Sequence, residues 1–184
     1  MAKIYAMIAD GSEEVECLAV VDVLKRAKQE VVLTSAEAER TVTGSHGIKI
    51  VCDTILQEAD LKDADVIFLP GGMPGTNRLA ACRPLGEALL SQNAAGKRIA
   101  AICAAPSILG GLGLLKGKRA TCYPGFEEKL EGAVYCHEGV VTDGNISTAR
   151  GLGYALDLGL ELCRLLEGSE AAASLKQAIQ YDQF

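Results

Sequence analysis

The sequence contains no tryptophan, and aromatic residues account for only 4% of its 184 positions. Glycine is abundant instead, with 20 residues, and hydrophobic residues make up 49%. Small and branched aliphatic side chains suit a tightly packed α/β sheet better than a β-sandwich. Charged residues make up 23%, so the chain is expected to be globular and not disordered. We therefore predict one α/β domain over residues 1–184.

The sequence also lacks a cluster of basic residues, a long apolar run and a signal-peptide pattern. Its net charge is −6, from 18 Lys and Arg against 24 Asp and Glu. This balance argues against an electrostatic surface for nucleic acid, and the apolar runs are too short to span a bilayer. We expect a cytoplasmic protein that has no membrane partner and does not bind nucleic acid directly.

Motifs for metals and disulfides are scarce as well. The seven cysteines are an odd number at wide spacings with no C-x-x-C pair, which fits a reducing compartment better than a secreted disulfide framework. The only histidines are His46 and His137. Cys136 directly precedes His137, but no second pair has the spacing of a zinc site. We therefore predict no metal site.

The hydrophobic pattern alternates between strands and helices along the chain. This alternation predicts one sheet, mostly parallel, with helices on both faces. Sheets of this kind carry their sites at the carboxyl ends of the strands. The predicted strands cover residues 3–9, 30–35, 41–43, 48–52, 64–69, 99–102, 119–122, 134–136, 140–142 and 146–149, and the predicted helices cover 13–28, 77–82, 84–95, 107–115, 151–166 and 171–180.

The stretch Ile99–Pro106 contains the strongest candidate for chemistry. Four apolar residues predict a buried strand, a lone cysteine follows, and Pro106 begins a helical pattern. Cys103 therefore sits at a strand-to-helix turn of the nucleophile-elbow type. Backbone N–H groups at the helix start are expected to favour its thiolate form. The competing interpretation is a buried structural cysteine.

Two further strand ends point to the same edge of the sheet. Glu16 shares a helix face with Val20 and Leu24, so its carboxyl group should point toward the sheet. Burial there would raise its pKa and let it donate a hydrogen bond, whereas the alternative is a structural acid at the helix start. Gly71 and Gly72 follow a buried strand, and their N–H groups either face an anion or belong to a flexible turn.

Together these stretches resemble the ThiJ/PfpI superfamily, most closely its bacterial YajL-like branch, which is related to the parkinsonism-associated protein deglycase. The similarity runs from about residue 3 to residue 166, nearly the whole chain. The resemblance implies a flavodoxin-like, three-layer α/β sandwich that forms a homodimer and needs no cofactor. The stretches that carry it are Ser12–Glu16, Leu69–Gly72, Ala100–Pro106 and Thr148–Gly151.

The resemblance also implies roles for individual residues of the site. Cys103 would be the nucleophile, and Glu16 would be its protonated hydrogen-bond partner. The N–H groups of Gly72, which follows Gly71, and of Ala104 would line an oxyanion pocket.

Four other residues are assigned by the same resemblance, and two of them depart from its usual pattern. Arg26 and Arg150 match arginines near the family's site and dimer interface. Tyr123 stands where many members have a histidine, and a tyrosine cannot act as a base near neutral pH without a large pKa shift. His46 stands where the family often has an arginine, so recognition of anions by the partner subunit would be weaker or pH-dependent.

The sequence leaves several functions open. In the first, Cys103 adds to the carbonyl carbon of methylglyoxal or glyoxal, or of their adducts with amino groups and thiols, while Glu16 moves a proton. In the second, the protein is a redox sensor or chaperone in which Cys103 is oxidised to a sulfenate or sulfinate without turnover. A cysteine peptidase is disfavoured by Tyr123, and a flavodoxin-type cofactor binder is disfavoured because the usual phosphate-binding glycine pattern does not occur.

Overall fold

A computed structural model describes residues 1–181 of the chain. In this part the α-helices are α1 (Glu14–Arg26), α2 (Gly75–Ala81), α3 (Arg83–Ala94), α4 (Pro106–Gly111), α5 (Ala155–Glu167) and α6 (Ser169–Ala178). The strands are β1 (Lys3–Ile8), β2 (Glu30–Ser35), β3 (Thr41–Thr43), β4 (Lys49–Val51), β5 (Thr54–Ile55), β6 (Val66–Leu69), β7 (Arg98–Ile102), β8 (Arg119–Ala120), β9 (Val134–Tyr135), β10 (Val140–Asp143) and β11 (Ile146–Ala149).

Seven of these strands form the central sheet, in the order β10-β11-β7-β6-β1-β2-β5. Every neighbouring pair is parallel except β10 and β11, which form an antiparallel hairpin. The two-residue turn of that hairpin is Gly144-Asn145, because Asp143 still pairs with Ile146, and Gly144 has φ 62°. The predicted mostly parallel α/β architecture is therefore confirmed.

The two faces of the sheet are covered by different helices. Along β1, alternate side chains point to opposite faces, so Ile4 and Ile8 belong to one core while Tyr5 and Met7 belong to the other. The core that contains Ile4 also includes buried residues of α1 and α5. The core that contains Tyr5 includes residues of α2, α3 and α4. Three layers result, and the loops at the carboxyl ends of the strands remain free to form a site.

The edge strand β5 and the helix α4 differ from the sequence prediction. The two-residue edge strand β5 lies in a stretch that the sequence predicts to be a loop, because its pairing with β2 is a tertiary contact. The predicted helix over 107–115 ends at Gly111, and the chain then continues in turns that include Gly113 with φ 73°. Leu115 nevertheless remains fully buried, which explains why the apolar pattern extends beyond the helix.

None of the helices within residues 1–181 combines the length and the apolar character that crossing a bilayer requires.

Candidate active site

The candidate nucleophile lies where β7 turns into α4. Cys103 has φ 63°, which lies in the left-handed region that residues other than glycine rarely occupy. Its N–H donates to the carbonyl of Ala149 at the end of β11 (2.9 Å), and its own carbonyl accepts from the N–H of Tyr123 (2.8 Å). These backbone hydrogen bonds hold the turn in an unfavourable conformation, which is typical of a nucleophile elbow. The predicted elbow is confirmed.

Glu16 lies in the first turn of α1 and points into the sheet edge, as its helix face predicts. Only 1% of the residue is exposed, and its Oε2 accepts the N–H of Gly71 at 3.0 Å. Burial raises the pKa of this carboxyl group to about 7, although hydrogen bonds with the Cys103 thiol and with the N–H groups of Gly71 and Leu152 oppose the rise. The two predicted functional side chains are therefore in contact.

The thiol of Cys103 does not behave as the sequence predicts while Glu16 is ionised. Burial raises the pKa of Cys103 to about 12, and the charge of the neighbouring carboxylate adds to this effect. The N–H groups of Ala104 and Gly72 do face the sulfur and lower its pKa, but they are outweighed. The N–H groups at the turn favour the thiolate as expected, but in this state burial and the charge of Glu16 outweigh them.

Protonation of Glu16 changes the surroundings of the sulfur. A neutral carboxyl group no longer repels a thiolate, and its O–H can donate a hydrogen bond to the sulfur. The pair can therefore hold one proton on either Glu16 or Cys103. Because the carboxyl group titrates near pH 7, it is suited to accept and return a proton at neutral pH.

The glycine pair after β6 is required by the close approach of the two side chains. A Cβ at Gly71 would lie 2.6 Å from the Cβ of Cys103 and 2.6 Å from Oε2 of Glu16. Gly72 has φ 87°, and a Cβ there would collide with the backbone N of Glu13. The absence of side chains at these positions lets two N–H groups reach the pair, as the sequence predicts for an anion-binding turn.

Glu13 and Glu14 have structural roles that the sequence analysis did not assign. A serine before a helix commonly acts as its N-cap, but the hydroxyl of Ser12 accepts the N–H of Ala9 (3.1 Å) and closes the turn after β1. Glu13 is the N-cap, and its Oε2 accepts the N–H of Glu16 at 2.6 Å. The sequence offers both Ser12 and Glu13 at the start of α1, and a serine is the more usual N-cap residue.

Glu14 links the β3–β4 hairpin to the start of α1 through hydrogen bonds. Its Oε1 accepts the N–H of His46 at 2.7 Å, and its Oε2 lies 3.1 Å from Nδ1 of the same residue. Burial alone would raise the pKa of Glu14, but hydrogen bonds from its own N–H and from His46 lower it to about 2. His46 therefore lies near the site but is engaged by this carboxylate.

The remaining predicted site residues are at different distances from the sulfur. Tyr123 adjoins Cys103 through its backbone, and its side chain is half exposed. Arg150 follows the end of β11 beside Cys103, but its charge acts on Cys122, where burial raises the pKa to about 11 and Arg150 opposes the rise. Arg26 pairs with Asp22 at 2.6 Å on the surface and lies ten residues beyond Glu16, about 15 Å along α1.

A comparison of sequences decides the family. The sequence profile of the DJ-1/PfpI family matches residues 2–165. The chain belongs to the DJ-1/PfpI family. This result confirms the resemblance drawn from the glycine, cysteine and glutamate motifs.

Relatives within the DJ-1/PfpI family cover almost the whole chain. Protein DJ-1 homolog B of Arabidopsis thaliana is 40% identical over 175 residues, which are 94% of this chain and 40% of that protein. The chain spans less than half the length of the two Arabidopsis relatives that it matches. Caenorhabditis elegans has a similar protein named Glutathione-independent glyoxalase DJR-1.2, which is 34% identical over 90% of this chain and 89% of its own length. Toxoplasma gondii DJ-1, solved in an oxidized form, has a TM-score of 0.96 at 33% identity and covers 100% of both chains.

Proposed function

We propose that this DJ-1/PfpI protein is a cysteine-dependent, cofactor-free glyoxalase and deglycase. The observation that carries the proposal is the contact between Cys103 and Glu16, in which a nucleophile at a strained turn adjoins a carboxyl group with a pKa of about 7. Such a pair supplies a nucleophile and a proton carrier, the two groups that addition to a carbonyl requires. The name of the C. elegans relative supports the same reaction class.

The first step is addition of the sulfur to the aldehyde carbon of methylglyoxal. Glu16 takes the proton of the Cys103 thiol while the S–C bond forms, and the π electrons of the carbonyl move onto its oxygen. The N–H groups of Gly72 and Ala104, which face the sulfur, stabilise this oxyanion. Glu16 then returns the proton to the oxygen, and the product is a hemithioacetal.

An internal redox rearrangement and a hydrolysis complete the reaction. Glu16 removes the hydrogen of the former aldehyde carbon as a proton and delivers it to the neighbouring ketone carbon, to which the electron pair passes. The hydroxyl proton of the hemithioacetal moves to the ketone oxygen. The former aldehyde carbon is oxidised to a thioester while the ketone is reduced to an alcohol. Water then cleaves the S–C bond, so that lactate leaves and the thiol is restored. With a glycated amine, the sulfur instead displaces the amine, which leaves with a proton from Glu16.

The test is the rate of methylglyoxal consumption together with lactate formation, corrected for buffer catalysis and for scavenging by thiols. We expect loss of turnover in Cys103→Ala and a large decrease in Glu16→Gln. Cys82→Ala is the matched control, because Cys82 is also a partly exposed cysteine but lies at the end of α2, outside the site. Full turnover in Cys103→Ala, or an equal loss in Cys82→Ala, would refute the proposal.

A second candidate is a redox function of the same cysteine. Cys103 is partly exposed, and two N–H groups and a carboxyl group that can carry a proton surround its sulfur. These donors would stabilise the oxygens of a sulfinate as they would stabilise an oxyanion. Absence of turnover in the wild type, combined with selective peroxide oxidation of Cys103, would favour this function over the enzymatic one.

We also propose that the protein acts as a homodimer through one side of α1 and the adjoining hairpin. Val15 and Leu18 on α1 and Ile48 and Val51 on the hairpin are between 38% and 73% exposed. Glu14 joins these two elements, and we expect the four apolar side chains to form one surface that a second copy would cover. Light scattering should give twice the monomer mass, and Val51→Asp should shift it toward the monomer. Val134→Asp, at an exposed position on β9, is the control.

A further inference from the structure

Three residues whose backbone adjoins the Cys103–Glu16 pair carry large, exposed apolar side chains. Met73 is 45% exposed, and Tyr123 and Leu152 are each 50% exposed. Exposed apolar side chains that lie close together can mark a ligand-binding groove, so these residues beside the Cys103 thiol are candidates for contact with a substrate. We refer to Met73, Tyr123 and Leu152 as the apolar rim.

Each member of the apolar rim is tied to the pair through the backbone. Met73 directly follows Gly72, whose N–H faces the sulfur. The N–H of Tyr123 donates to the carbonyl of Cys103 at 2.8 Å, and the N–H of Leu152 faces the carboxyl group of Glu16. The positions of the three residues are therefore fixed by the same contacts that build the site.

The ring of Tyr123 also lies next to another member of the rim. A Cβ built on Gly151 would be 3.3 Å from Cδ2 and 3.8 Å from Cε2 of the tyrosine ring. The ring consequently covers the backbone immediately before Leu152. An apolar group on a substrate bound at Cys103 would meet the exposed ring and the exposed leucine together.

We propose that the apolar rim makes the site select α-oxoaldehydes with a bulky apolar or aryl substituent over those with a methyl group or a hydrogen. The proposal rests on the proposed glyoxalase function and names its substrate class. The carbonyl carbon would be attacked by the Cys103 sulfur, and the substituent would lie against the rim and be removed from water. An aromatic ring gains both apolar burial and a ring–ring contact with Tyr123, whereas a methyl group gains little of either.

The test compares kcat/KM for phenylglyoxal and methylglyoxal in the wild type and in rim variants. The intrinsic difference in reactivity between the two aldehydes cancels when their ratio is compared across variants. We expect Tyr123→Ala and Leu152→Ala to lower the ratio of phenylglyoxal to methylglyoxal about tenfold. Tyr123→Phe should keep the ratio of the wild type. Val134→Ala, which truncates an exposed apolar residue elsewhere, should also keep it.

A second measurement separates failure of the rim from failure of the proposed function. Alkylation of Cys103 by N-benzylmaleimide and by N-ethylmaleimide, followed by peptide mass spectrometry, requires no turnover. In Tyr123→Ala, the rate of Cys103 alkylation should fall about tenfold more for N-benzylmaleimide than for N-ethylmaleimide. If that preference falls but no variant consumes either aldehyde, the rim is supported and the glyoxalase function is not.

The inference is overturned if both ratios are the same in the wild type and in the rim variants. Circular dichroism identifies any variant that has lost its fold. If Tyr123→Ala is unfolded, the ratios are measured in Leu152→Ala instead. Leu152→Ala retains the N–H that faces Glu16, so it changes the rim without removing that hydrogen bond.

Discussion

Substitution of Gly71 by alanine tests the close approach of Cys103 and Glu16 with a single methyl group. The backbone of Gly71 is not in the left-handed region, so alanine meets no conformational penalty there. The new Cβ, however, would lie 2.6 Å from the Cβ of Cys103 and 2.6 Å from Oε2 of Glu16. Carbon atoms in contact need about 3.5 Å. The two side chains must therefore move apart by about 1 Å.

A displacement of this size is enough to disable the proposed reaction. A misplacement of about 1 Å can cost about a hundredfold in rate when groups must be aligned for reaction. We expect Gly71→Ala to lower kcat/KM for methylglyoxal by about this factor, while overpacking reduces the free energy of unfolding by about 1–3 kcal/mol. The variant should remain folded at 25 °C, which circular dichroism and thermal unfolding would verify.

Gly153→Ala is a matched control for this substitution. Gly153 directly follows Leu152, whose N–H faces Glu16. Its φ is also outside the left-handed region, and a Cβ built on it would have no atom within 4 Å. We expect its turnover to remain within about twofold of the wild type. Full activity in Gly71→Ala would refute the geometry of the pair, and equal losses in both variants would show that the effect is not specific to the contact with Cys103.

Three further predictions concern the acids and the cysteines. The pKa of Glu16 is raised from 4.5 to about 7, so the native state loses stability as pH rises through this interval. In urea unfolding, the free energy of unfolding of Glu16→Gln should rise by about 3 kcal/mol relative to that of the wild type between pH 4 and 8. Parallel pH dependences of the two proteins would contradict the raised pKa. The pKa of Glu14 is lowered to about 2, so its stabilisation is present above pH 4.5 and is lost as pH falls toward 2. Glu14→Gln should lower the free energy of unfolding by about 3 kcal/mol at pH 7 and by progressively less in acid. Glu128→Gln, at an exposed position, is the control and should show no such pH dependence. Graded peroxide followed by mass spectrometry should oxidise Cys103 before the other six cysteines, with sulfinate accumulation changed more in Glu16→Leu than in Glu16→Gln; even oxidation of all seven would count against the pair.

The elements that the sequence predicts well are those defined by local patterns. The bounds of β2, β3 and β11 agree with the predictions to the residue, because alternating or continuous apolar runs end there at polar turns. The 151–166 helix begins instead with a 3-10 turn at Leu152–Tyr154 before α5. The boundary of such a turn depends on tertiary contacts, which the helical spacing of leucines does not contain.

The same distinction applies to the candidate site. Cys103, Glu16 and Gly71 were found because each follows a strand, and parallel strands bring their carboxyl ends to one edge. The N–H of Leu152 was not found, since a backbone group carries no signal in the residue type. The anchoring of His46 by Glu14 was missed for a related reason, because it joins a helix start to a hairpin that is distant in the sequence.

The assembly of the pair from distant segments has a consequence for the newly made chain. Glu16 follows β1, Gly71 follows β6, Cys103 follows β7, and Leu152 follows β11, so the four meet only when these strands lie side by side. Contacts between segments so far apart along the chain are slow to form. Until they form, Cys103 has neither a carboxyl partner nor converging N–H groups. A partly folded molecule therefore carries an ordinary thiol, and the proposed carbonyl chemistry would be confined to molecules that have completed the sheet.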